Sequence, residues 1–355
     1  MRSKWGKLVA VLLAIAVVAS LAVGCAAKPA ETPAPAETPK TDVKAAMVTD
    51  TAGLGDKSFN DLAWSGFDQA KTEFGVQTKA LQSMQPADYE KNLVDGATAG
   101  YNPVVAVGFL LGDTVKKVAP QYPDTVFVGI DQFFDPTIPN VIGVTFKEQD
   151  AAYLAGVLAG NLTSMTDVDS RINDQLTVGF VGGMSSVPPV VRFYLGYEAG
   201  AKKANPNIKV LKAYTEDFED QLKGKEAALA QIEQGADIIF AAAGKAGIGA
   251  FDACKEKNKL FIGVDSDQFL TLSNPGDVIV TSAIKKVDVP AYEAIKLQVD
   301  GTLKGGENRQ YGLVEDAVGL APYHDWDTKL PQSVKDAVDA ARTEVVEGTV
   351  VVPSE

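Results

Sequence analysis

The sequence predicts an α/β protein built from two doubly wound, mostly parallel sheet lobes joined by a hinge. Three observations predict it. From residue 42 onward, short β-branched runs alternate with longer amphipathic stretches, which is the pattern of βαβ units. The runs are apolar at nearly every position, as in Val-Phe-Val-Gly-Ile and Asp-Ile-Ile-Phe, so their strands are expected to be buried on both faces. The series also occurs twice, once before about Glu148 and once after Asp174.

Taken in order, the strand candidates are Val43–Thr49, Val104–Val107, Thr125–Ile130, Leu176–Val181, Ile208–Tyr214, Asp237–Ala241, Leu260–Val264 and Val278–Ala283. Helical periodicity fills most of the gaps: Asn60–Phe74, Asp88–Ala99, Thr114–Ala119, Gln149–Leu162, Val190–Ala204, Gln221–Gln234 and Ile248–Lys257. The polar stretch Asn161–Asn173 between the two series reads as a surface excursion. Two such lobes in tandem form a cleft at the carboxyl ends of their strands, where ligands of doubly wound sheets bind.

The N-terminus points to export. Arg2, Lys4 and Lys7 form a basic region, Leu8–Val23 an uncharged apolar run, and Val23-Gly24-Cys25 a small-residue close. Residues 1–24 are thus expected to be a signal peptide. Cys25 is the expected lipid attachment site, although Leu21 stands four positions before it, one further than in the usual lipobox. Residues 25–43 are rich in Pro, Ala, Thr and Glu and read as a semi-stiff tether.

Composition narrows the function. Formal net charge is −13, and loss of the signal peptide removes three positive charges and no acid. Such a chain repels nucleic acid and anionic lipid surfaces, so a nucleic-acid partner is not expected. The cysteines are Cys25 and Cys254, which leaves no internal disulfide in a lipidated chain. With His324 as the single histidine, neither a His-based triad nor a multi-His metal centre is expected, and no cofactor.

Acids repeatedly follow strands: Asp50, Asp131 and Asp265 each stand at a predicted strand's C-terminal end. One Asp there is ordinarily a cap or turn former; three at equivalent ends point toward a shared site. Gly53 and Gly55 permit a tight loop after the first strand, and Ser58 can cap the helix that follows. This loop is no phosphate cradle, because Asp56 precedes Lys57 where a P-loop has glycine. Phe59 then sits at a helix start beside the cleft, either as a core residue or as a platform for a flat ligand. The stretch Gly244–Gly249 has the wrong glycine spacing for a dinucleotide fingerprint; close backbone approach to a ligand at a helix N-terminus accounts for it better.

At the level of motifs, Val48-Thr49-Asp50 followed by Gly53-Leu54-Gly55-Asp56-Lys57-Ser58-Phe59-Asn60 and Ala63-Trp64-Ser65-Gly66 resembles the opening signature of the basic membrane protein family. Further matches follow in order, among them Val107–Asp113, Tyr153–Gly156, Val178–Gly183, Ile262–Gln268 and Thr281–Lys286, so the resemblance covers about residues 44–350. It implies a nucleoside-binding lipoprotein of an ABC importer, with a type I periplasmic-binding-protein fold, working with a permease and ATPase subunits and catalysing no reaction. It also implies that two aromatic rings sandwich a purine while carboxylates and a lysine hold the base edge and ribose. Carried over by motif, the rings are Phe59 and Phe218, with Asp50 and Asn60 beside the base. Asp131, Gly244, Asp265 and Lys285 fall around the sugar. Ala243–Gly249 and the Pro188-Pro189 segment depart from the family pattern, which leaves open a sugar or other small signalling molecule as ligand. The expected lobes are residues 44–147 plus 282–304 and residues 148–281 plus 305–355.

Overall fold

The computed structural model describes residues 41–355. The expected signal peptide, Cys25 and all but the last residues of the tether lie outside the described residues. Among the described residues no helix is long and apolar enough to cross a membrane.

The first sheet comprises β1 (Lys44–Thr49), β2 (Gln77–Leu81), β3 (Val104–Val107), β4 (Phe127–Ile130), β5 (Val141–Phe146) and β11 (Glu307–Tyr311). Its order is β11-β5-β4-β3-β1-β2, and every pair is parallel. The second comprises β6 (Thr177–Gly182), β7 (Lys209–Tyr214), β8 (Ile238–Ala242), β9 (Leu260–Asp265), β10 (Ile279–Lys285) and β12 (Val318–Leu320), in the order β12-β10-β9-β8-β6-β7. Only the β10–β12 pairing is antiparallel among the pairs within it.

Central strands β3, β4, β6, β8 and β9 are buried at every position, as their unbroken apolar character requires when helices cover both faces. Edge strands β2, β7 and β11 instead carry Lys, Gln, Glu and Arg, which discourages pairing with another chain. Helices α1 (Phe59–Phe74), α2 (Asp88–Thr98) and α3 (Gly112–Val118) belong to the first lobe. Helices α4 (Glu148–Leu162), α5 (Pro188–Ala204), α6 (Gln221–Glu233), α7 (Lys245–Glu256) and the short α8 (Gln268–Thr271) belong to the second. Helix α9 (Asp288–Val299) returns to pack on α1, and α10 (Gln332–Val346) packs on α4.

The α4–α5 pair is unusually close. A Cβ at Gly156, Gly196 or Gly200 would lie 2.0–2.2 Å from a carbonyl of the facing helix, so these glycines let the two backbones touch. The polar Asn161–Asn173 segment is more than a surface excursion. Thr163 is buried and donates to Asp237 at 2.7 Å, while buried Arg171 is held by Asp169 and Asp277.

The chain crosses between sheets at Lys147, as expected, but the other two crossings differ from expectation. Strand β10 stays whole in the second sheet through Lys285, so the crossing falls at residues 286–287 and not at 282. The return comes at 312–317 and not at 305, because polar β11 pairs along β5 as the edge of the first sheet.

Candidate functional site

A cavity of about 550 Å³, counting its mouth, lies between the carboxyl ends of the two sheets. All eight residues expected at a ligand site line it: Asp50, Phe59, Asn60, Asp131, Phe218, Gly244, Asp265 and Lys285.

The three strand-end acids are placed by the topology. Asp50 follows β1, Asp131 follows β4, and Asp265 ends β9. Asp131 and Asp265 take left-handed backbone conformations, with φ of 64° and 62°, a turn that Asp tolerates better than most residues. Burial drives the Asp265 carboxyl up to about 8; Lys285 opposes the rise, while Asp131, Asp56 and Glu148 add to it. Burial likewise raises Asp50 to about 7, against the hydrogen bond from Asn60.

Asp50 and Asn60 form one unit with Asp56. Asn60 Nδ2 donates to Asp50 Oδ1 at 3.0 Å and to Asp56 Oδ2 at 3.2 Å. Its Oδ1 is buried without a partner among the described residues. Asp56 accepts from the backbone N–H groups of Ser58, Asn60 and Asp61, at 3.1, 2.7 and 3.1 Å. The start of α1 is therefore capped by Asp56, not by Ser58 as expected, whose hydroxyl is buried and has no partner among the described residues. A carboxylate that takes three N–H groups also offsets the orphan donors of a helix start.

Lys285 is a buried cation, 1% exposed, and not a solvated surface lysine. Its Nζ lies 2.6 Å from Asp131 Oδ1 and 3.0 Å from Glu148 Oε1. The rings of Phe59, Phe146 and Phe193 surround it, with centroids 5.1, 5.2 and 5.9 Å away. Arg192 binds the other oxygen of Glu148 at 2.7 Å. Burial works to raise Glu148, but Lys285 and Arg192 hold it below its ordinary value. Asp131, buried beside Glu148 and shared with one lysine, is raised.

The second lobe supplies Phe218 and Gly244. Phe218 sits in the loop before α6, whose cap is Asp220 accepting from Leu222 and Lys223. The ring packs against the backbone just after β6: a Cβ at Gly183 would be 2.2 Å from Phe218 Cε1. Gly244, at φ 56° and ψ −133°, begins α7 beside the Phe218 carbonyl. Val187, Pro189, Val190 and Phe193 complete an apolar wall, so the Pro188-Pro189 departure opens α5 at the cavity.

Asp56, Glu148, Arg192 and Phe193 were missed from sequence. Glu148 and Arg192 sit on opposite helices of one packed pair, and nothing in their local pattern joins them. Among the described residues no group of three or more His, Cys, Asp or Glu is placed to hold a metal ion. Asp131 and Glu148 are paired with Lys285 and Arg192, and Asp50 and Asp56 accept from Asn60 and from backbone N–H groups. What the cavity offers is a surplus of buried acceptors, one cation, and apolar walls with a ring from each lobe. That chemistry holds a polar, donor-rich molecule with a flat face.

The family model described as ABC transporter substrate-binding protein PnrA-like matches residues 43–354. The chain is 36% identical to an uncharacterised lipoprotein of Pyrococcus abyssi, over 84% of this chain and 73% of the relative. It is 33% identical to the ABC transporter nucleoside-binding protein BmpA of Lactococcus lactis subsp. cremoris, over 89% of this chain and 90% of the relative. Among solved structures, an ABC transporter solute-binding protein of Aeropyrum pernix K1 superposes with a TM-score of 0.79 at 27% identity, covering 88% of this chain and 94% of that one. Its two parallel-sheet lobes are those of type I periplasmic-binding proteins, and the chain belongs to the PnrA-like family of ABC transporter substrate-binding proteins.

Proposed function

We propose that this protein captures nucleosides, purine nucleosides first, in the cavity between its lobes and delivers them to a membrane permease driven by ATPase subunits. It acts by binding and release, without catalysis. The observation that carries the reading is the pairing of Phe59 and Phe218, one ring from each lobe, in a cavity lined by buried carboxylates. A flat base stacks between such rings; a base N–H meets the unpartnered Asn60 Oδ1 and the Asp50 carboxylate. Asp131 and Asp265 hydrogen-bond the ribose hydroxyls, and Lys285 offsets the negative charge that the acids carry. Gly244 allows backbone approach to the ligand. The nucleoside-binding role of the L. lactis relative supports the same ligand class.

The test is calorimetry on protein unfolded and refolded to strip carried-over ligand, with mass spectrometry of what denaturation releases. Adenosine, guanosine and inosine are expected to bind, and ribose alone to bind weakly. Tight binding of ribose or another sugar with no nucleoside binding would overturn the assignment in favour of a sugar receptor.

The protein is held on the outer face of the cell membrane by a lipid on Cys25, after removal of residues 1–24. The basic and apolar N-terminal pattern supports this, as does the lipoprotein name of the P. abyssi relative. The native protein should partition into detergent and Cys25→Ala should not; a native protein wholly in the aqueous phase refutes the anchor.

A further inference from the structure

One backbone carbonyl ties the two lobes together. Lys57, in the loop between β1 and α1 of the first lobe, accepts from three side chains of the second: Thr271 Oγ1 at 2.8 Å, Ser266 Oγ at 3.0 Å and Gln268 Nε2 at 3.3 Å. A carbonyl oxygen has two lone pairs, so three donors saturate it. The donors belong to one short segment that starts beside Asp265 at the end of β9 and runs through α8. The acceptor is fixed on its own side. Lys57 takes φ 58°, a left-handed conformation that a lysine adopts at a cost, and its N–H is held by Asp61 Oδ2 at 3.1 Å. Its side chain points elsewhere, toward Asp61 in a loose pair at 3.9 Å, and 47% of it is exposed.

From this geometry we infer that Ser266, Gln268 and Thr271 are positioning residues of the binding site: they set ligand affinity by latching the lobes shut on the Lys57 carbonyl, without touching the ligand. None of the three, nor Lys57, lines the cavity, yet each half of the latch is continuous with residues that do. Asp56 and Phe59 flank Lys57, and Asp265 precedes Ser266. Closing the latch therefore brings Asp265 to the same cavity as Asp56, Phe59 and Asn60. A ligand gripped by both lobes leaves only when the latch opens, so the latch acts on the dissociation rate. Because a backbone carbonyl is the acceptor, no side-chain change at Lys57 removes it; the donors are the adjustable part.

The inference rests on the nucleoside reading for its ligand, and the experiment separates the two. Gln268 is left intact, since its Oε1 also accepts from Val264 N–H at 3.1 Å inside the second lobe. The variants are Ser266→Ala/Thr271→Val and, as rescue, Ser266→Ala/Thr271→Ser, with adenosine and guanosine as probes. Each lost hydrogen bond to a neutral acceptor corresponds to roughly a two- to twelvefold change. The Ala/Val variant is expected to bind both nucleosides about tenfold more weakly, by the same factor, with the change in the dissociation rate. Thr271→Ser should restore part of the affinity. Small-angle scattering should give a larger radius of gyration for the ligand-free Ala/Val variant than for ligand-free native protein. Affinity within twofold of native, or a loss confined to one nucleoside, overturns the latch. If the native protein binds neither nucleoside, the ligand assignment fails and scattering alone decides: expansion of the variant upholds the latch, and an unchanged profile overturns it.

Discussion

Replacing Lys285 by Met tests whether the buried charge cluster is the electrostatic centre of the site. Met keeps the length of the side chain and its packing among Phe59, Phe146 and Phe193, but removes the charge that Asp131 faces at 2.6 Å. Glu148 retains Arg192 at 2.7 Å, so one carboxylate of the pair keeps a cation and the other is stranded. Breaking a buried ion pair by removing one partner costs about 3–5 kcal/mol. Asp131 has a way to reduce that cost: burial has already raised its carboxyl, and losing Lys285 raises it further, so it takes up a proton. The loss should therefore fall toward the lower limit and shrink as the pH drops, because protonation neutralises the stranded group. Urea unfolding of native protein, Lys285→Met, Asp131→Asn and the double variant, at pH 5 and pH 8, measures it. At pH 8 the single Lys285→Met variant should lose about 3 kcal/mol, and adding Asp131→Asn should return part of it, since the two residues touch. A loss under about 1 kcal/mol at pH 8, or a deficit that grows on acidification, refutes the reasoning.

The remaining predictions concern ligand and pH. Phe59→Ala and Phe218→Ala should each weaken nucleoside binding by about 1–3 kcal/mol, roughly five- to 150-fold, in calorimetry; unchanged affinity in both removes the stacking role. Gly183→Ala should reproduce the Phe218→Ala loss, since its methyl would occupy the ring's place, and native affinity with native circular dichroism would argue against that placement. Asp265 is raised by burial to about 8, so its contribution to stability is complete below the ordinary Asp value near 4 and is lost as pH rises through about 8. Asp265→Asn should accordingly flatten the fall in urea midpoint of ligand-free protein between pH 4 and 8, and an identical pH slope in both proteins would contradict the assignment.

What the sequence made legible follows from what each element depends on. The central strands declare themselves because both faces are buried, and Val104–Val107 is found at its expected bounds. Edge strands Gln77–Leu81 and Glu307–Tyr311 were missed because their residues are mostly polar and half-exposed; pairing on a neighbour, not burial, makes them strands. Val141–Phe146 is apolar throughout its buried positions, but it runs into the helix from Glu148 after the single residue Lys147, so no turn signal marks its end. The same cause displaced the lobe boundaries: without β11 in the first sheet, the chain after residue 304 had no reason to remain there. In the site, residues on strand ends and their adjoining loops were readable because parallel topology sends strand ends to one place. Glu148 and Arg192 were not, since their meeting depends on how closely α4 and α5 pack, and that is set by glycines whose partners lie on the other helix.

The charge cluster and the chain crossings occupy the same place, and this constrains how the site can work. Lys285 is the last residue of β10 before the crossing at 286–287, and Glu148 the first residue after the crossing at Lys147. The crossing strands are themselves tied: Lys147 N–H donates to the Tyr311 carbonyl at 2.9 Å and Lys286 N–H to the Ala317 carbonyl at 2.8 Å. Lys285 and Glu148 thus share the second lobe's side of the junction, while Asp131 comes from the first sheet. Any relative movement of the sheets pulls on the Asp131–Lys285 contact before it disturbs Lys285–Glu148 or Glu148–Arg192. A buried ion pair gains little net stability, because its Coulomb attraction is set against the hydration both charges lost. Opening returns that hydration to Asp131, so the pair resists separation only weakly, and affinity for the closed form must come from elsewhere. In the proposed reading the latch on the Lys57 carbonyl supplies part of it, and a ligand that touches both lobes supplies the rest. Lys285 is then the fixed counter-charge among several buried carboxylates, and the hold on the closed form is left to the latch and to the ligand.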